Sequence, residues 1–256
     1  LPTKEAIYPN ALWNNTQINH NSPLLLHQYF EKQARKHPDR IAIVFKDKHL
    51  SYHYLNQQAD ALAYSLKEQG VESESFVGVL MDRSVELVIS LLAIFKAGSV
   101  YMPFESSTPL ERIKRAISQL NCKFLLTNSQ FPRLTEKTIF LDKVNWSGND
   151  AFSLFHPIEK NLSALAYIIH TSGSTGTPKA AGNTHTGIEN RLLWMKKQYT
   201  IDQATIILHK TPISFDVSLW ELLLPLICGS KLILAPPQAE KDPEKLCALM
   251  KKNHVT

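Results

Sequence analysis

The chain has 256 residues, a formal charge of +5, 44% hydrophobic and 20% charged residues, which is the balance of an ordinary globular protein with room for a sizeable core. No run of five or more like charges supports nucleic-acid binding, and the longest apolar stretch, Leu87 to Phe95, is far short of the roughly 20 residues a membrane-spanning helix needs. Cys122, Cys228 and Cys247 form no CxxC pair and have no metal-ligand spacing with histidine, so neither a disulfide frame nor a zinc site is expected.

The first 22 residues are polar and Asn-rich and read as a linker, and residues 23–256 as the folded part. Ser22-Pro23 reads as an N-cap followed by proline in the first helical turn, with Leu26, Phe30 and Ala34 on one face and Pro38 as the stop. Ile41 to Phe45 is a short β-rich run, Lys46 to His49 a polar turn, and Leu55, Ala59, Leu62 and Leu66 mark a helix ending at Gly70. Phe76 to Leu80 reads as a strand, Ser84 to Ala97 as a helix closed by Gly98, and Thr108-Pro109 as the start of another. Strands follow at Lys123 to Thr127 and Leu165 to Ile169, then a helix from His185 to about Lys197. Ile206 to Leu208, Ser218 to Cys228 and Leu232 to Ala235 continue as strand, helix, strand. Between Asn128 and Lys160 the periodicity fades. The alternation predicts an α/β fold of layered, mostly parallel sheets flanked by helices.

Chemistry concentrates in the segment TSGSTGTPK, Thr171 to Lys179, after the apolar strand Leu165 to Ile169 and before the helix at His185. Gly173 and Gly176 allow backbone N–H groups to approach a ligand, because no Cβ blocks the way. Thr171, Ser172, Ser174, Thr175 and Thr177 add hydroxyl donors and Lys179 a mobile positive charge, a set suited to a polyphosphate. The segment is neither a Walker A loop, which ends Gly-Lys-Ser/Thr, nor a GxGxxG fingerprint. Composition alone fits a surface loop as well; its place after a buried strand favours phosphate.

TSGSTGTPK resembles the phosphate-binding loop of the adenylate-forming enzymes, and the remaining motifs resemble the branch that activates amino acids in nonribosomal peptide synthetases. LSYHYLNQQADALA from Leu50, FKAGSVYMPFE from Phe95, TPLERI from Thr108, HTGIENRLLWM from His185 and KTPISFDVSLWELLLPL from Lys210 occur in that branch's order. WNNT with LLLHQYFEKQARKHPDRIAIV resembles the segment joining a condensation domain to an adenylation domain.

The resemblance implies that the chain is the N-terminal portion of an adenylation domain. ATP would be the co-substrate, Mg2+ its counter-ion, and a carrier protein with a phosphopantetheine arm the partner, beside condensation domains. The cytosol is the expected location. Thr171 to Lys179 would hold the β- and γ-phosphates, and Asp216 would pair with the substrate's α-ammonium group. Read without the resemblance, Asp216 is a helix cap and Trp220 a core residue of an amphipathic helix. Val217 and Trp220 match side-chain pocket positions, and an Asp-Val-Trp beginning looks most like serine-activating members, although members for other small or polar amino acids share it. No catalytic residue and no metal ligand is assigned.

Two departures from the family pattern matter. His170 stands where the family usually has Tyr, and reads as a packing or hydrogen-bonding residue. The loop is followed by Ala180-Ala181-Gly182-Asn183, where a Gly-Asn pair is expected to weaken the next strand. Moreover, the sequence stops before the family's adenine- and ribose-binding motifs and its lysine-bearing C-terminal subdomain, so the chain alone is expected to be an inactive part of a longer enzyme. The alternative is a degenerate adenylation fragment acting as a non-catalytic binding module.

Overall fold

A computed structural model describes residues 23–144, 161–171 and 179–256. Residues 1–22, read as a linker, lie outside the described residues.

Helix α1 (Leu26–Lys36) is amphipathic and buries Leu26, Phe30 and Ala34. It starts three residues after Pro23, with Gln28 Oε1 accepting from the Leu25 N–H at 3.0 Å, so Pro23 is not part of its first turn. Strand β1 (Ile41–Phe45) turns back into β2 (Lys48–Ser51), an antiparallel hairpin where the sequence suggested only a polar turn. An edge strand with one buried residue carries too little apolar alternation to be read from sequence. Ser51 then caps α2 (Tyr52–Glu68) by accepting from the Tyr54 N–H.

Strand β3 (Phe76–Leu80) leads through the Ser84 cap into α3 (Val85–Lys96). Apart from Glu86 that helix is buried all round, as its nearly unbroken apolar sequence requires. Gly98, at φ 75°, turns the chain into β4 (Val100–Phe104), also wholly buried. Pro103 hid this strand from the sequence reading, since a central strand rarely tolerates a missing N–H. The β4–β7 register shows how it is accommodated: β4 pairs along its length with β3, but with β7 only at Tyr101 and Tyr167. Helix α4 (Leu110–Gln119) and strands β5 (Phe124–Thr127) and β6 (Lys137–Phe140) follow. Beyond them lie β7 (Leu165–Thr171), β8 (Lys179–Thr184), α5 (His185–Gln198), β9 (Ile206–His209), α6 (Val217–Cys228), β10 (Lys231–Leu234) and α7 (Pro243–Asn253).

The strands form two sheets, one ordered β2-β1-β10-β9 and the other β6-β5-β3-β4-β7-β8. Pairing is parallel except for β1–β2 and β7–β8. The layered, mostly parallel architecture read from the sequence is therefore present. Alternate residues of the six-stranded sheet serve two cores. Val77, Val79, Tyr101, Phe124 and Leu126 join the large cluster that contains α1, α2, α3, α5 and α6, while Leu80, Met102, Phe104 and Leu125 pack with Ile113, Ala116 and Ile117 of α4. Inside the larger core Lys96 is 1% exposed and its ammonium pairs with Glu31 and, at 2.8 Å, with Asp60. No helix among the described residues is long and apolar enough to cross a membrane.

Candidate active site

The Ser/Gly/Thr segment joins the two strands of an antiparallel hairpin. β8 pairs with β7 from Thr171↔Lys179 down to Leu165↔Thr184, so a strand of six residues separates the segment from α5. The strand expected after the segment, with its Gly-Asn pair, is β8, which lies between the segment and the helix at His185. Ser172, Gly173, Ser174, Thr175, Gly176 and Thr177 lie outside the described residues. The two residues that frame the segment are described: Thr171 and Lys179 face each other, exposed, and Thr171 Oγ1 donates to the Lys179 carbonyl at 3.4 Å.

The Gly-Asn pair does not break β8. A Cβ on Gly182 would lie 2.9 Å from Leu165 Cδ2, so the missing side chain is what lets Leu165 lie across the strand. Asn183 gains a partner instead: its Nδ2 donates to the Tyr167 hydroxyl at 3.3 Å, directly across the ladder. His170 stacks on Phe104, with ring centroids 5.9 Å apart at 20°, and neither ring nitrogen has a hydrogen-bond partner among the described residues. Burial, with a contribution from the positive charge of Arg112, holds its pKa below the ordinary histidine value. His170 thus packs on Phe104 in surroundings that disfavour its charged form.

The second half of the site is the turn from β9 into α6. Four donors converge on the buried carboxylate of Glu221: His209 Nδ1 at 2.9 Å, the N–H groups of Lys210 at 3.0 Å and Thr211 at 2.9 Å, and Thr211 Oγ1 at 2.6 Å. Burial opposes the charge, but the His209 and Thr211 bonds outweigh it and keep the Glu221 pKa below the ordinary carboxylate value. Further along the turn, Glu105 Oε1, just past β4, accepts from Ser214 Oγ at 2.9 Å. Arg83, just past β3, donates to the carbonyls of Lys210, Ala235 and Pro236 and pairs with Glu240. The C-terminal ends of strands from both sheets are thereby tied together, the place where open α/β sheets hold ligands. A cavity of about 180 Å³ lies at this seam, lined among others by Asp82, Arg83, Glu105, Pro212 and Ile213.

This framework presents Asp216, Val217 and Trp220. Asp216 precedes α6 with helical dihedrals (φ −60°, ψ −29°) and its side chain makes no cap bond, so the capping role is not what is observed. Its carboxylate is exposed, Val217 is 42% exposed beside it, and half-buried Trp220 packs on the main core, as the plain reading of a core residue expects. Asp216 and Trp220 are four residues apart and share a helix face. Burial raises the Tyr167 pKa, the hydrogen bond from Asn183 opposes the rise, and the negative charge of Asp216 adds a smaller upward push. Glu221, Glu105 and Arg83 were missed at the sequence level; the Glu of SLWE and the acid closing YMPFE were visible in quoted motifs, whereas Arg83 gave no pattern.

Residues 30–256 match the family model described as AMP-binding enzyme. Among curated relatives, a mycosubtilin synthase of Bacillus subtilis is 37% identical over 95% of this chain and 9% of its own length. Tyrocidine synthase 3 of Brevibacillus parabrevis is 35% identical over 95% of this chain and 4% of its own. Zwittermicin A synthase ZmaJ of Bacillus cereus is 35% identical over 90% of this chain and 44% of its own. The chain thus spans less than half the length of these relatives. Among solved structures, the nonribosomal peptide synthetase FmoA3 bound to α-methyl-L-serine-AMP superposes with a TM-score of 0.87 at 26% identity, over 96% of this chain and 28% of that one. The N-terminal subdomain of Klebsiella oxytoca NpsA, bound to 3-hydroxyanthranilyl-AMSN, gives a TM-score of 0.76 at 26% identity, over 91% of this chain and 59% of that one.

Proposed function

Because this chain belongs to the AMP-binding enzyme family, we propose that it is the N-terminal portion of an adenylation domain that activates an amino acid with ATP in nonribosomal peptide synthesis. The observation that supports the reading is the match of residues 30–256 to the AMP-binding model, with exposed Thr171 and Lys179 framing TSGSTGTPK on the β7–β8 hairpin and the exposed Asp216 at the start of α6.

In this reaction an oxygen of the substrate carboxylate attacks the α-phosphorus of ATP, the bond from that phosphorus to the bridging oxygen breaks, and pyrophosphate leaves. The contribution of this chain is positional and electrostatic. Thr171 and Lys179, with the Ser172–Thr177 donors of the motif, stay with the departing pyrophosphate as charge develops on it. Asp216 holds the α-ammonium, and its carboxylate, without a hydrogen-bond partner among the described residues, disfavours acids that lack one. Mg2+ accompanies the triphosphate as counter-ion, and no residue of this chain is assigned to it. The aminoacyl group then passes to the thiol of a carrier protein's phosphopantetheine arm with release of AMP, in the cytosol and beside a condensation domain.

Serine is the favoured substrate. The Asp216, Val217 and Trp220 pattern supports it, as does the likeness to FmoA3, whose bound adenylate carries α-methyl-L-serine. The competing reading, a non-catalytic binding module, rested partly on the Gly182-Asn183 departure. Gly182 and Asn183 nonetheless pair with Ile168 and Tyr167 in the β7–β8 ladder.

The test is amino-acid-dependent ATP–pyrophosphate exchange with serine and a panel of amino acids. It is run on this chain and on this chain together with the coding sequence that follows Thr256 in its gene. Exchange from the longer protein, greatest with serine, is expected. Folded protein without exchange in either form overturns the enzymatic reading in favour of the binding module.

A further inference from the structure

The turn that leads from β9 to α6 is held near both of its ends. At its start, Arg83 Nη1 donates to the Lys210 carbonyl at 2.7 Å, and Glu221 accepts from the N–H groups of Lys210 and Thr211. Toward its end the partner is Glu105, the residue after β4. Glu105 Oε1 accepts from the Ser214 hydroxyl at 2.9 Å and from the Ser214 N–H at 3.4 Å. Both residues are half-buried, so this contact is partly withdrawn from water. Between Ser214 and Asp216 the chain has little freedom of its own. Phe215 donates its N–H to the Pro212 carbonyl at 3.1 Å, and its carbonyl accepts from the Ser218 N–H at 3.0 Å and the Ser218 hydroxyl at 2.6 Å. Ile213 and Ser218, on either side, are buried. A shift at Ser214 is therefore passed on to Asp216, whose carboxylate makes no cap bond to hold it.

We propose that Glu105 is a specificity-determining positioning residue: by fixing Ser214 it fixes the backbone that carries Asp216, and so places the carboxylate that meets the α-ammonium of the substrate. This rests on the adenylation reading given above and adds to it a requirement that runs between the sheets. Glu105 follows β4 of the six-stranded sheet, whose neighbouring strand β7 leads into TSGSTGTPK. Ser214 follows β9 of the four-stranded sheet. The Glu105–Ser214 contact thus ties the turn assigned to the ammonium to the sheet assigned to the triphosphate. A displacement of the reacting groups by a fraction of an ångström is costly in such a reaction, so the tie bears on how well an amino acid is held. Its consequence is selectivity: a substrate without the ammonium gains nothing from the arrangement.

The experiment measures exchange kinetics in the longer protein defined above, for E105A, E105Q, S214A and E105A/S214A. Because the bond lost has a charged acceptor, E105A and S214A are each expected to raise the KM for the amino acid about tenfold. The KM for ATP should not move. The inhibition constant of the corresponding α-hydroxy acid, which has no ammonium, should not move either. E105A/S214A should match the worse of the two single variants, because both substitutions remove the same contact. E105Q, which keeps an acceptor oxygen, should recover part of the loss. If E105A does not fold, S214A decides alone, since it removes only a hydroxyl. A rise of about a hundredfold in the double variant, the product of two independent effects, overturns the proposal. So does an unchanged amino-acid KM in S214A, or an equal rise for ATP or the α-hydroxy acid. Each of these outcomes leaves the adenylation reading intact, whereas absence of exchange in the unsubstituted protein overturns both.

Discussion

His209 Nδ1 lies 2.9 Å from Glu221 Oε2 in the interior, joining the last residue of β9 to the second turn of α6. The same carboxylate holds the N–H groups of Lys210 and Thr211, so one buried acid sets the path of the chain that leads to Asp216. Any property of the Asp216 turn is therefore expected to depend on a residue that touches no ligand.

Substitution of Glu221 tests this dependence. Alanine strands the four donors at once, an imidazole, two backbone N–H groups and a hydroxyl. Breaking a buried, hydrogen-bonded charge typically costs about 3–5 kcal/mol, and E221A should lose that much in urea unfolding. E221Q, which retains an acceptor oxygen and the shape, should lose roughly half as much. An E221A midpoint within error of the parent protein would show that the turn is held by something else.

Lys96 poses the same question of the larger core. Its ammonium is enclosed with Glu31 and Asp60, and burial already raises the Asp60 pKa. K96A leaves two carboxylates facing each other without a cation, and a loss of about 3–5 kcal/mol is expected. K96A/D60L, which removes one of those acids as well, should recover part of it. A double substitution less stable than K96A alone would contradict this account of the cluster.

Acid sensitivity follows from His185, the first residue of α5, which lies edge-on against Phe95 with ring centroids 5.2 Å apart. Burial lowers its pKa from 6.5 to about 4. The unfolded chain binds the proton near pH 6.5 and the folded chain only near 4, so folding stability is intact above pH 6.5 and falls as the pH drops between those values. His27 is shifted in the same direction, by burial first and then by Lys96 and His185. His185 alone predicts a loss of roughly 2 kcal/mol between pH 7 and pH 5, at 1.36 kcal/mol per unit. H185Q should flatten the urea midpoint over that interval; equal slopes for both proteins would remove His185 as the cause.

The sequence was legible where one signal dominated. β3 is apolar throughout and α3 nearly so, broken only by Glu86, Ser90 and Lys96, and the caps at Ser51 and Ser84 are ordinary. It was illegible where tertiary contacts decide. β4 carries a proline that its pairing with β7 accommodates, and β8 carries a glycine and an asparagine that Leu165 and Tyr167 turn to use. α7 was overlooked although Asp242-Pro243 is a readable start, with the Asp242 side chain accepting from the Lys245 N–H. Of the site, the residues that would meet ligand stand in motifs, whereas Arg83, Glu105 and Glu221, which orient them, are recognisable only once their hydrogen bonds are traced.

Asp216 offers the sharpest test of substrate class. Its side chain has no role in capping α6, and its exposed carboxylate makes little demand on folding. D216N should therefore unfold within about 0.5 kcal/mol of the parent protein, the usual range for a surface change. Its effect should appear in exchange kinetics instead. Loss of a charge-assisted contact of about 1.5–3 kcal/mol raises the amino-acid KM by roughly 10- to 150-fold. The KM for ATP should stay where it was, because the proposed function assigns the triphosphate to Thr171–Lys179 and not to Asp216. The α-hydroxy acid analogue should be discriminated less, since asparagine no longer offers an anion that requires a cation. A D216N protein that keeps the parent's amino-acid KM would show that the ammonium is read elsewhere, and the substrate assignment would have to be rebuilt from other residues.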